Sequence, residues 1–232
     1  MTTRHSRVLL AKIDLLLPRL AETSQELWNS QRLRELYPEY LCMLHTAIRS
    51  TVPLMECALE EAENRAADDP AAEVLVTYLT RHIREEQGHD EWLRQDLEAL
   101  GHDPQEPLRR VPAASVANLV GAQYYWIRHY HPACLLGHIA VLEGNPPSPH
   151  LVDELMRRTG FPRSGFRTLE RHAALDVKHR DEILRTIDGM PLTHDLATAV
   201  GLSALHSVDA ADTALRAVLA SRRAPALATT QA

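Results

Sequence analysis

Apolar residues return at three- and four-residue intervals along nearly the whole chain, the period of helices that bury one face. Leu9, Leu10, Ile13, Leu16, Leu17 and Leu20 set this pattern over residues 5–35, where Pro18 is expected to kink or break the helix. A second helical stretch covers 38–66, with Pro53 as a kink. Asp69 as N-cap and Pro70 at the first helical position predict a helix over 70–100, stopped by Gly101. Residues 101–111 hold two prolines and read as a loop. Further helices are expected over 113–144 (bent at Pro132), from Ser148-Pro149 to 159, over 166–188, and over 194–222 with Thr193 as N-cap. Residues 224–232 are small and polar and are expected to be a disordered tail. No segment alternates with a two-residue period, so the fold class is all-α, one domain over residues 1–223.

Composition narrows the function. The chain has 232 residues, with 31 acidic against 25 basic side chains, a net charge of −6. That balance argues against nucleic acid and against an anionic membrane surface as partners. Three cysteines, Cys42, Cys57 and Cys134, suit no disulfide framework and fit a reducing, cytoplasmic setting. The apolar run Val8 to Leu17 is interrupted by Lys12 and Asp14 and reads as an amphipathic helix rather than a signal peptide. No stretch approaches the 18 or so apolar residues of a membrane span.

The 13 histidines matter through their placement. Two helices carry one pattern: His82-x-x-x-Glu86-x-x-His89 and His172-x-x-x-Asp176-x-x-His179. At about 100° per residue, offsets of four and seven fall at about +40° and −20°, a narrow stripe. Leu75, Leu79, Leu93, Leu97 and Leu100 project with the first stripe, and Leu169, Ile183 and Ile187 with the second. Carboxylates and imidazoles on such inward faces need a compensating partner, and a metal ion supplies one. Glu86 lies near the middle of its stripe and Glu85 about 100° away, which favours Glu86 as ligand and Glu85 as a supporting or surface group. Glu143 ends a mostly apolar run, Leu135 to Leu142; alone it would be a solvated helix end. Carboxylate and imidazole ligands without thiolate suit iron or manganese with open positions better than structural zinc. A single E-x-x-H would be a surface coincidence, and His82 or His172 alone a hydrogen-bonded core histidine; two copies of the spacing on inward faces are harder to dismiss.

Three blocks resemble the haem-oxygenase-like di-iron oxidases, also called the iron-containing redox enzyme family. They are HIREEQGHDEWLRQDLEALG, LVGAQYYWIRHYHPACLLGHIAVLEGNPP and FRTLERHAALDVKHRDEIL. The resemblance covers about residues 36–190 and implies a seven-helix, haem-oxygenase-like bundle shared with thiaminase II and pyrroloquinoline-quinone synthase. It further implies two irons held by Glu86, His89, Glu143, His172, Asp176 and His179, with His82 beside them as an additional ligand or a group behind the ligands. O₂ would be the co-substrate and a small organic molecule the substrate. The reactions it implies are N-oxygenation, oxidative fragmentation or desaturation, often in natural-product biosynthesis.

Tyr124, Tyr125, Arg128 and His129 are candidates to line a pocket, with plain packing an equal alternative. Arg128 and Lys178 are candidates to hold a substrate carboxylate, with a surface role favoured for both. Gly121 and Gly137 allow either close helix contact or room for a ligand. The last helix either completes the bundle or pairs two subunits as a homodimer. Competing readings are a ferritin-like di-metal protein using Glu56 or Glu60, a haem-binding relative with His45 as proximal ligand, a non-catalytic binding module, and a thiaminase-type hydrolase. The last needs an activated cysteine.

Overall fold

The computed structural model describes residues 4–148 and 150–221, and the expected tail and the final residue of the expected last helix lie outside them. Every regular element among the described residues is helical. In chain order these are α1 (His5–Asn29), α2 (Leu33–Ile48), α3 (Thr51–Glu63), α4 (Pro70–Glu86), α5 (His89–Ala99), α6 (Glu106–Arg109), α7 (Ala114–His129), α8 (Leu135–Leu142), α9 (Leu151–Thr159), α10 (Arg167–Gly189) and α11 (His194–Ala220), with 3₁₀ turns at Pro132–Cys134 and Arg163–Phe166. The all-α expectation holds, but nine of these helices have nine or more residues, against the seven that the resemblance implies.

The excess comes from breaks that the apolar period does not record. Ser30 is extended between α1 and α2, and Pro53 falls in the first turn of α3 rather than inside a longer helix. Pro18, by contrast, does not interrupt α1. It sits on the solvent side, where water can satisfy the carbonyl it leaves free, while Leu9, Ile13 and Leu27 stay buried. The expected helix over 70–100 divides: Gln87 is extended (ψ 125°) and Gly88 is left-handed (φ 83°). The expected loop after Gly101 contains the single turn α6.

Two starts form as their sequences predict. Asp69 accepts from the Ala71 and Ala72 amides at 2.9 and 3.3 Å, and Thr193 accepts from Leu196 N at 3.2 Å. The start of α10 is held from elsewhere: buried Asp96 of α5 accepts from the Arg167 and Thr168 amides at 3.1 and 2.9 Å.

Two apolar cores frame the interior. One joins Leu9 and Ile13 of α1 with Leu75 and Leu79 of α4, Leu136 and Ile139 of α8, Ile183 and Ile187 of α10, and Val200 of α11. The other joins Tyr37 and Leu41 of α2 with Leu93 and Leu97 of α5, Leu155 of α9, Phe166, and Leu169 of α10. Each fully buried leucine contributes about 1.5–3 kcal/mol. Along α4–α5 and along α10 the chain passes from one core to the other. The residues at the crossing are Glu86 to His89 and His172 to His179.

Candidate metal centre

The apolar stripe of α4 carries His82 and Glu86 inward on its last turn, both buried. Gly88 then reverses the local backbone, and His89 opens α5. The helical arithmetic that joined His89 to Glu86 therefore does not apply across the break. The two still meet, because the turn brings His89 Nδ1 to 3.0 Å from Glu86 Oε2. Glu143 is the C-terminal cap of α8 and is buried rather than solvated. His179 lies in the middle of α10.

His82, Glu86, Glu143 and His179 converge, each offering a ligand atom, with those atoms all within 4.8 Å of one another. His82 Nε2 is 3.0 Å from Glu143 Oε1. His179 Nδ1 is 3.5 Å from Glu86 Oε1 and 3.6 Å from Glu143 Oε2. The His82 and His179 rings meet edge to face, with centroids 4.9 Å apart.

The remaining expected residues surround this group. His172 is half-buried and lies edge-on to His89 at 5.3 Å. Its Nδ1 donates to the Thr168 carbonyl at 2.8 Å, leaving Nε2 as the free nitrogen. Asp176 is buried and close enough to Glu143 and Glu86 to feel both charges, though it is not in the compact four. Glu85 pairs with Lys178 at 2.8 Å.

The electrostatics are those of crowded carboxylates in an apolar seam. Asp176 is pushed up to about 8, first by burial and then by Glu143 and Glu86. Burial also raises Glu143, against the hydrogen bond from His82. For Glu86 burial acts upward but is outweighed by His89, His82 and His179, and its carboxyl titrates below the usual range. Burial lowers His172 and His179, favouring the neutral imidazoles a metal requires. Buried atoms without a hydrogen-bond partner include His82 Nδ1, His89 Nδ1, His179 Nδ1, Glu143 Oε2 and Asp176 Oδ1. So many orphaned donors and acceptors at one place are costly to a metal-free protein, and their chemistry, imidazole nitrogen and carboxylate oxygen, fits iron.

The α7 candidates lie elsewhere. Val116, Leu119, Gln123 and Ile127 form the buried face of α7, which turns Tyr125, Arg128 and His129 outward. Tyr125 is 62% exposed, Arg128 pairs with Glu61 and Glu60 at 3.4 and 3.6 Å, and Tyr124 packs on the first core. Tyr124 is half-buried, and Tyr125, Arg128 and His129 are exposed. Gly121 has open space beside it, whereas a Cβ on Gly137 would run into the Val200 carbonyl, so Gly137 serves close contact of α8 with α11. Two clefts of about 230 and 200 Å³ open near Lys12 and His194 and near Glu39 and Val218, and no member of the cluster lines either. Tyr78, one turn before His82, stacks on its ring at 5.0 Å, and Trp92 stacks on His89 at 4.0 Å. Sequence reasoning singles out neither, although Tyr78 shares the His82 stripe.

No helix among the described residues is long and apolar enough to cross a membrane. No curated protein sequence matches the chain. Among solved structures it is similar to a domain of unknown function with a haem oxygenase-like fold from Shewanella denitrificans, at 17% identity and TM-score 0.72, covering 92% of this chain and 89% of that one. It is likewise similar to a TenA homolog from Pseudomonas syringae pv. tomato, at 17% identity and TM-score 0.70, covering 92% and 91%. These likenesses establish a haem oxygenase-like fold. The family profile of iron-containing redox enzymes matches residues 38–212, a span holding every member of the His/Glu cluster, and the chain belongs to that family.

Proposed function

We propose that this protein is an oxidase or oxygenase that uses two irons and O₂ to transform a small organic substrate. The observation that carries the reading is the buried convergence of His82, Glu86, Glu143 and His179, where Glu143 Oε2 and His179 Nδ1 face inward without a hydrogen-bond partner. Glu86, His89, Glu143, His172, Asp176 and His179 would hold the metal, with His82 as a further ligand. Iron bound there would supply electrons and open positions for O₂ reduction. The protein's own part is to keep that chemistry dry and to manage protons. The two apolar cores on either side exclude bulk water. Asp176 holds a proton near neutral pH and gives it up when a cation arrives.

An amino-acid-like or amine substrate is favoured over a fatty acid. Beside half-buried His172, the Arg171 guanidinium lies 4.3 Å over the Trp92 ring at the edge of the cluster, a cation that suits the carboxylate of an amino-acid-like substrate. Arg128 and Lys178 are engaged by Glu60, Glu61 and Glu85. A thiaminase-type reading lacks its nucleophile: all three cysteines are buried, and burial raises Cys57 and pushes Cys134 up to about 12.

Anaerobic Fe(II) titration, followed by O₂ exposure with Mössbauer and stopped-flow absorption, tests the proposal. Two irons per chain that oxidise on mixing are the expected result. A protein that takes up no Fe(II), or that takes up haem instead, would overturn it.

A further inference from the structure

Glu85 is adjacent to Glu86 in sequence but reaches the cluster from the opposite side of the histidine rings. Its Oε1 accepts from Lys178 Nζ at 2.8 Å. Its Oε2 is buried without a hydrogen-bond partner. That oxygen lies 3.5 Å from His179 Nε2 and 3.8 Å from His82 Nδ1. The other nitrogens of the same rings face the centre, His179 Nδ1 toward Glu86 and Glu143 and His82 Nε2 toward Glu143. One carboxylate oxygen thus addresses the outward nitrogens of two imidazoles whose inward nitrogens converge.

A neutral imidazole carries a single N–H, and the nitrogen that bears it cannot bind a metal. A carboxylate oxygen only accepts. We propose that Glu85 is a positioning residue. It holds the N–H of His179 on Nε2, so that the inward Nδ1 presents a lone pair, and Lys178 pins it in place. Glu182 braces the pin, lying 3.8 Å from Lys178 Nζ and 3.1 Å from Arg81 Nη2. A merely solvated ion pair would not bury Oε2 between two rings. The inference rests on reading the cluster as a metal centre.

Two readouts separate it from that reading. The first is two-bond ¹H–¹⁵N correlation of the full-length, metal-free protein, which reports each histidine tautomer. His179 is expected as the Nε2–H form. Glu85→Ala should move His179 toward Nδ1–H, donated to Glu86 or Glu143, and Glu85→Gln, which keeps a carbonyl acceptor, should restore part of the original population. The second is titration with Co(II) alone, in which Glu85→Ala should weaken binding about 10- to 100-fold with an unchanged helical spectrum. Lys178→Met, at a side chain 55% exposed, guards against misfolding and discriminates by sign. Loss of a nearby positive charge alone would tighten cation binding, whereas loss of the pin weakens it. Unchanged tautomers in Glu85→Ala, or tighter Co(II) binding with unchanged tautomers in Lys178→Met, would overturn the inference. If the wild-type protein bound no Co(II), the metal reading would fall, and the tautomers would still decide the role of Glu85.

Discussion

Helix α8 supplies one histidine to a closed polar cluster and is capped by a glutamate that belongs to an open one. At the closed end, Ser203 Oγ donates to Gln123 Oε1 at 2.9 Å, Gln123 Nε2 donates to Ser207 Oγ at 3.3 Å, and Ser207 Oγ donates to the Ser203 carbonyl at 2.8 Å. His138 Nδ1 completes the set at 2.9 Å from Ser207 Oγ, and none of these four side chains has a buried atom without a partner. Burial, then His206, lowers His138 to about 4, so it stays neutral above that pH. At the open end, five buried atoms of His82, His89, Glu143, Asp176 and His179 make no hydrogen bond. Both clusters are buried, yet only one is satisfied by its own residues. A satisfied network fixes the packing of α7, α8 and α11. An unsatisfied one stores the cost of its orphans until a ligand meets them.

Substitutions in the two clusters should therefore fail in opposite ways. Glu143→Gln keeps the shape and an acceptor for His82 but removes a charge. It is expected to reduce Fe(II) uptake by two orders of magnitude or more, while metal-free stability changes by less than about 1 kcal/mol. Fe(II) titration beside urea denaturation measures both. Gln123→Leu is expected to do the reverse, costing about 2–3 kcal/mol by orphaning groups of Ser203 and Ser207 while leaving Fe(II) uptake intact. Should Glu143→Gln unfold the protein, or Gln123→Leu abolish iron uptake, the distinction between the clusters would be lost.

How far each cluster is legible follows from how local its geometry is. His82 and Glu86 share a helical turn and a buried stripe, so residue spacing alone places them together. His179 and Asp176 are legible on α10 for the same reason. The reach from Glu86 to His89 depends on a left-handed Gly88, and the apolar period running on through Leu93 and Leu97 hides that break. Glu143 has no local signature; only its buried surroundings separate it from a solvated helix end. Asp96 caps a helix that starts 71 residues later, and no local pattern records such a contact. The α7 aromatics are ambiguous because in a run of Tyr-Tyr-Trp successive side chains point to different sides of a helix, so composition does not say which face is inward.

The pH response should also divide the clusters. Asp176 holds its proton to about 8 in the folded, metal-free protein, against about 3.9 when unfolded. Between these values the native state binds a proton that the unfolded state has lost, so the contribution of Asp176 to stability should fall as pH rises from about 4 to about 8. His138 acts with the opposite sign: its folded value of about 4 lies below the unfolded one of about 6.5, so its contribution grows as pH rises between them. Above about 6.5 His138 is neutral in both states, and the downward slope there belongs to the open cluster. Iron must displace the Asp176 proton, so uptake should strengthen over that upper range. Asp176→Asn should flatten both trends. Urea melts and Fe(II) affinities on either side of the Asp176 midpoint would show it, and an unaltered slope in the variant would assign the titration to another group.

The smallest effect expected is at the break that turns His89 back toward Glu86. A Cβ at Gly88 would meet nothing within 4 Å, so Gly88→Ala adds no clash. Its penalty is the left-handed backbone (φ 83°), which costs an alanine about 1 kcal/mol. That strain is relieved if Gln87 and the new alanine become helical and α4 runs on into α5, which would carry His89 away from its 3.0 Å approach to Glu86. Thermal melting should therefore show a loss of about 1 kcal/mol. Fe(II) affinity should fall modestly, while the hydrogen-exchange protection of α7, α8 and α11 around Gln123 stays as it was. An equal loss of protection in both places would mean that the break supports the whole bundle and not the open cluster alone.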